Sequence, residues 1–176
     1  VRIHARSAQE LMAGRVESAL FSAAGFVAEG NAVEALSGDV KPSFPRIEGS
    51  AQALIENRPI RLQGDFDIQQ KSGRLSLDSE ADLFGALRKN LAGRWKGAAV
   101  LDRLALSAQP RLQASCIFGP DFNFESAEFS LALGPLSFGG VDFLRFKTRG
   151  RADLKMIHLA DFTLEKPGER VDGSLE

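Results

Sequence analysis

Between Arg58 and Leu83, apolar and polar residues alternate almost without a break. Ile60, Leu62, Phe66 and Ile68 sit between Arg61, Gln63, Asp65, Asp67 and Gln69. After Gln70-Lys71-Ser72-Gly73 the pattern resumes, with Leu75, Leu77, Ala81 and Leu83 between Arg74, Ser76, Asp78, Glu80 and Asp82. Side chains on a strand point to opposite faces in turn, so each run has one oily face and one wet face. The Ser-Gly segment between them predicts a hairpin turn. Pairing Gln69 with Arg74 sets Ile68 opposite Leu75, Phe66 opposite Leu77, Leu62 opposite Ala81 and Ile60 opposite Leu83, with Arg61 meeting Asp82. A slip of one residue would set oily against polar positions, so the faces are strongly specified. In this register Gly64 faces Ser79, a place for the sheet to bend, and Asp65 faces Asp78, an unfavourable like-charge pair. A lone hairpin is not stable in water, so its oily face needs a cover.

The same grammar runs through the rest of the chain. Residues 1–6 alternate as a strand, and Ser7-Ala8-Gln9-Glu10 with Gly14 predicts a short capped helix over 8–13. Arg15–Ala28 admits helical spacing, but a period-two reading groups Val16, Leu20 and Phe26, and Gly25 with Phe26-Val27 suits a strand better. Residues 31–46 carry Pro42 and Pro45 and predict a short strand followed by a loop. Leu83, Leu87 and Leu91, with Asp82 before them and Gly93 after, predict a second short helix. A strand over 98–108 follows, then one with Leu112, Ala114, Cys116 and Phe118 on a single face. Phe122 and Phe124 lead into Phe129, Leu131 and Leu133, and further short strands continue to Val171–Leu175. The chain therefore reads as one mainly β domain over 1–176, an antiparallel meander of about 10–13 strands with one or two short helices. No helix-crossover rhythm supports a parallel α/β sheet.

Composition narrows the function classes. The 176 residues hold 22 basic and 23 acidic side chains, so charge balance gives no pull toward nucleic acid. A single cysteine, Cys116, excludes an internal disulfide. No apolar run approaches the ~20 residues that cross a bilayer as a helix, and no stretch of the sequence reads as a signal peptide. The chain opens and closes inside strand patterns, which predicts a fragment of a longer protein.

Motifs for catalysis are missing. His4 and His158 stand far apart without metal-ligand spacing, and no phosphate loop, dinucleotide fingerprint or nucleophile elbow occurs. We expect a non-enzyme without cofactor or metal. Cys116 shares its face with Leu112, Ala114 and Phe118 and reads as a small buried hydrophobe rather than a nucleophile. Asp65, Asp67, Asp78 and Glu80 form a flat acidic row, which suits a solvated face better than a calcium site. Arg145, Lys147, Arg149 and Arg151 alternate into a basic ladder that would suit lipid phosphates, or would protect a sheet edge.

The C-terminal stretch LGPLSFGGVDFLRFKTRGRADLKMIHLADFTLEKPGERVDGSLE resembles AsmA-like and TamB-like proteins of Gram-negative envelopes, which repeat such Gly-Pro-Leu turns and strand pairs. The likeness is best over 95–176, with 47–83 compatible. It implies a strongly curved, taco- or groove-like β-sheet on the periplasmic side of the inner membrane, anchored outside this segment. It also implies a passive role in accommodating or transporting lipids, with phospholipid acyl chains and other envelope proteins as partners. The groove would be lined by Ile60, Leu62, Phe66, Ile68, Leu75, Leu77, Phe129, Leu131 and Leu133, with Arg145, Lys147, Arg149 and Arg151 near headgroups. Two other readings stand beside it: a scaffold or assembly domain with a closed β core, and a carbohydrate-binding β-sandwich. One Trp and no Tyr argue against the last.

Overall fold

The alternation becomes a single large sheet. The computed structural model describes residues 2–4, 17–28, 31–81 and 103–175. Its strands are β1 (Arg2–His4), β2 (Ser18–Ala28), β3 (Asn31–Ser43), β4 (Arg46–Ile55), β5 (Arg58–Asp67), β6 (Ser72–Ser79) and β7 (Leu104–Leu106). They continue as β8 (Arg111–Phe118), β9 (Phe124–Leu133), β10 (Leu136–Phe138), β11 (Val141–Phe143), β12 (Arg145–Asp153), β13 (Ile157–Lys166) and β14 (Glu169–Leu175). Eleven of these form one antiparallel sheet in the order β1-β2-β3-β4-β5-β6-β8-β9-β12-β13-β14. A small sheet, β11-β10-β7, branches off where the meander leaves the main ladder. The large sheet does not close as a barrel, so among the described residues β1 and β14 are its edges.

The predicted hairpin exists, but its register differs by four residues. β5 ends at Asp67 and β6 begins at Ser72, so Ile68-Gln69-Gln70-Lys71 form the turn. The Asp67 carboxylate accepts the Gln70 N–H at 2.7 Å, which starts the turn two residues early. Leu62 now faces Leu77, Ile60 faces Ser79 and Gly64 faces Leu75. A shift of four preserves the side-chain parity, so both faces stay as read. It also sets Asp65 opposite Arg74, which removes the like-charge pair, and brings Arg61 to Asp78 instead of Asp82.

Other expectations meet mixed outcomes. Arg15–Ala28 is a strand over its described part, but Gly25 at φ 66 interrupts the alternation. Leu20 consequently pairs with Asp39 on the polar face, and Val16 lies outside the described residues. In the stretch 31–46, one long strand, Asn31–Ser43, runs up to a tight turn at Phe44-Pro45, rather than a short strand followed by a loop. Pro42 lies past the last rung shared with β2, so its missing N–H leaves no gap there. Phe122 belongs to a 3-10 turn, Pro120–Phe122, not to β9. The helices expected over 8–13 and from Asp82 to Gly93, and the first residues of the strand expected over 98–108, fall outside the described residues.

Glycine and phenylalanine fit together across this sheet in a recurring way. Phe21 faces Gly38, Phe66 faces Gly73, Phe129 faces Gly150 and Phe162 faces Gly173. In each pair the ring lies over the glycine, where a β-carbon would collide with it. Phe66 also covers Gly64. The rings thus lie down on neighbouring strands, and the backbone that glycine leaves bare is covered by apolar carbon.

These pairs predict different sensitivities. A methyl on Gly150 would meet both the Phe129 ring and the His158 carbonyl of the next strand, whereas one on Gly173 meets only the Phe162 ring. Gly150→Ala is therefore expected to cost about 1–3 kcal/mol and Gly173→Ala less than about 1 kcal/mol in urea unfolding. Equal losses at the two positions would contradict the packing described.

Candidate functional site: the two faces of the sheet

Register places the apolar residues in rows that run across the strands. Leu62, Leu77, Ala114, Phe129 and Gly150 form one row, and Ile60, Ser79, Leu112, Leu131 and Thr148 the next. Leu133 continues this face beside Phe146. Of the nine residues expected to line a groove, eight share it: Ile60, Leu62, Phe66, Leu75, Leu77, Phe129, Leu131 and Leu133. Ile68 does not, because the corrected register puts it in the turn, where it is exposed.

This face is only partly covered. Among the described residues the buried apolar side chains are Val33, Ile60, Ala81, Leu133 and Leu136. Ser79 and Thr148 on the same face are buried as well, while Leu62, Phe66, Leu75, Leu77, Phe129 and Leu131 are half-buried. A core closed by a second sheet would bury such residues fully. The small β7-β10-β11 sheet is the one other layer among the described residues, and it is tied to the end of β9 by the Ser107 N–H, which donates to the Pro135 carbonyl at 2.9 Å.

The opposite face is charged and internally matched. Arg145 sits 2.5 Å from Glu165, and Arg149 contacts Asp161 through both Nε (3.0 Å) and a terminal nitrogen (2.5 Å). Arg170 and Thr163 both hydrogen-bond Asp172. The Arg145 guanidinium holds the Glu165 carboxyl below its ordinary range, Arg149 does so for Asp161, and Arg170 with Thr163 for Asp172. The basic ladder is therefore half neutralised by its neighbour β13. Lys147 and Arg151 make no ion pair within 4.0 Å among the described residues; they face Thr163 and His158 across the strands. These acidic partners on β13 escaped the sequence reading, although the alternation Asp161, Thr163, Glu165 carried the signal.

The hollows of the molecule also lie on this charged face. One of them, about 760 Å³, is bordered by Arg61, Gln63, Asp78, Gln113, Glu128 and Arg149 among others. Leu62, Leu77, Phe129 and Leu131 border these hollows, but the nine expected residues do not wall an enclosed groove. The ladder Arg145–Arg151 lies on the face opposite the apolar rows, so a chain resting on those rows reaches it only around the strand ends.

Among the described residues, no three His, Cys, Asp or Glu side chains converge as a metal site. The acidic row is dispersed, with Asp65 beside Arg74 and Asp78 beside Arg61. Cys116 sits half-buried on the apolar face, and burial pushes its thiol up, away from the reactive thiolate. No described helix is long and apolar enough to cross a membrane. Comparison with protein-family models, with curated proteins and with solved structures returns no match. The likeness to AsmA-like and TamB-like proteins thus rests on the sequence motifs alone.

The carboxylates of β13 and β14 make stability depend on pH. Their folded pKa values lie below the unfolded ones, so their contribution is complete above the ordinary carboxylate range and is lost as pH falls through the folded values. Urea midpoints of wild type and Asp161→Asn are expected to differ near neutrality and to converge as pH falls below the ordinary carboxylate range. A gap that persists unchanged in acid would rule out the ion pair as its source.

Proposed function

We propose that this sheet accommodates lipid acyl chains on its apolar face, as a passive segment of an envelope protein on the periplasmic side of the inner membrane. The observation that carries this reading is the apolar face itself. Eight predicted residues from β5, β6 and β9 share it, most of them half-buried, with no second large sheet over them among the described residues. An apolar face left partly uncovered is a place for an apolar partner. Acyl chains suit it because contact with it is non-directional, worth about 0.8 kcal/mol for each buried methylene, and needs no fixed polar partner. The flat-lying rings over Gly38, Gly73, Gly150 and Gly173 keep that surface low, so a long flexible chain can lie across several strands. The headgroup then projects past the strand ends into water rather than onto Arg145, Lys147, Arg149 or Arg151. The envelope setting, the periplasmic location and the phospholipid cargo follow from the sequence resemblance.

A scaffold role is the second reading, and the free edge favours it. All seven residues of β14 are exposed, with Val171 at 53% and Leu175 at 60%, and the strand contains neither Pro nor Lys to block a further strand. In that case the apolar face would be covered by more protein of the same assembly.

Native mass spectrometry separates the two. Protein isolated from bacteria without detergent is expected to carry phospholipid adducts, and Leu62→Ser/Leu77→Ser is expected to lose them while keeping its β-sheet circular dichroism. A wild type that is consistently lipid-free, or a variant as loaded as the wild type, would sink the lipid reading.

A further inference from the structure

At one end of the large sheet, every described connection between neighbouring strands carries an exposed apolar side chain. In a meander every second connection projects from the same end, and among the described residues those connections are β3–β4, β5–β6, β8–β9 and β12–β13. Each carries a large apolar residue: Phe44 (84% exposed), Ile68, Phe122, and the pair Leu154 (80%) and Met156 (64%). Tight turns ordinarily carry polar residues, Gly and Pro. At the opposite end, the β4–β5 and β13–β14 turns obey that rule with Glu56-Asn57 and Pro167-Gly168, while the longer β9–β12 connection, which holds the small sheet, also exposes Phe138, Val141 and Leu144.

The tips are held rather than loose. The Ile68 N–H donates to the Pro45 carbonyl at 2.8 Å, which fastens the first tip to the second. The Phe122 N–H donates to the Lys71 carbonyl at 2.8 Å, and Lys71 pairs with Asp121 at 2.8 Å, which fastens the second to the third. In the fourth tip the Asp153 carboxylate accepts from the Lys155 N–H (2.7 Å) and the Met156 N–H (3.0 Å). Groups fixed this way lose little conformational entropy when they bind.

We propose that this rim docks end-on to a lipid bilayer by inserting its apolar tips. Adjacent tips lie two strands apart, about 10 Å, with charged residues between them. A folded protein partner packs its apolar contacts into one buried interface core, which tips spaced this far apart with charged residues between them do not form. A fluid bilayer needs no such core, since each tip enters the acyl boundary by itself. The rim's charges largely match: Lys71 pairs with Asp121, Arg46 faces Asp67, and Lys155 neighbours Asp153. Attraction to anionic headgroups is therefore not what holds it. The Phe122 ring lies 6.1 Å from Phe66, which continues through Phe118 to Phe124, so the rim joins the apolar face without a polar break. Docking does not depend on acyl-chain carriage: a sheet that carries no lipid would dock by the same tips.

Flotation of the whole chain with vesicles of pure phosphatidylcholine provides the test. The wild type is expected to float equally at about 0.05 and about 0.5 M salt, because apolar insertion is not screened. Phe44→Ser/Leu154→Ser/Met156→Ser is expected to bind about a hundredfold or more weakly, with an unchanged urea midpoint because these side chains are solvent-exposed. Leu62→Ser/Leu77→Ser, which addresses carriage, is expected to float like the wild type. The proposal fails if the wild type does not float, if the triple variant floats equally well, or if binding needs anionic lipid and vanishes in salt. It also fails if the wild type ignores vesicles and instead forms an oligomer that the triple variant dissolves.

Discussion

Residues paired across antiparallel strands share a face, and this coupling governs the whole molecule. Once Leu62 faces Leu77, the next rungs must present Ala114, Phe129 and Gly150 on the same side. An odd slip anywhere in the ladder would turn every later apolar residue into the charged face and strip Arg149 and Arg145 of Asp161 and Glu165. The fit of Phe21, Phe66, Phe129 and Phe162 over their facing glycines reinforces the same registers, since each ring has a bare backbone to cover only in the observed alignment. Strand pairing, face separation and ring packing are thus one constraint seen at three levels.

The cost of this architecture is a small core. With few apolar residues buried among those described, the sheet's stability leans on backbone ladders, half-buried apolar rows and cross-strand contacts. Exposed ion pairs such as Arg149–Asp161 add little each in water. They do match the charge on one face, and that leaves the other as the natural place for apolar partners. The same division explains why the hollows, bordered by long polar side chains, lie on the side away from the apolar rows.

Part of this was legible in the chain. The period-two alternation named the strands, the oily face and eight of the nine residues on it, because side-chain direction is a local property of extended backbone. The turn of the first hairpin was misplaced because Asp67, rather than the Ser-Gly pair, starts it. Bulges such as that at Gly25 reset the alternation, so Leu20 appeared on the wrong face. The basic ladder was visible, but its acidic partners lie twelve to twenty residues away and depend on the length of a turn.

By itself, the sequence determined a mainly β, antiparallel, two-faced chain with no recognisable catalytic constellation, since period, turn chemistry and composition act over a few neighbouring residues. Only the tertiary structure decided which residues meet. It set the register at a distance of four from the expected one, matched Arg149 to Asp161, left β14 as an open edge, and gathered Phe44, Ile68, Phe122 and Leu154 at one rim. Those features depend on how many strands lie side by side and where each one turns, and no local pattern carries that information.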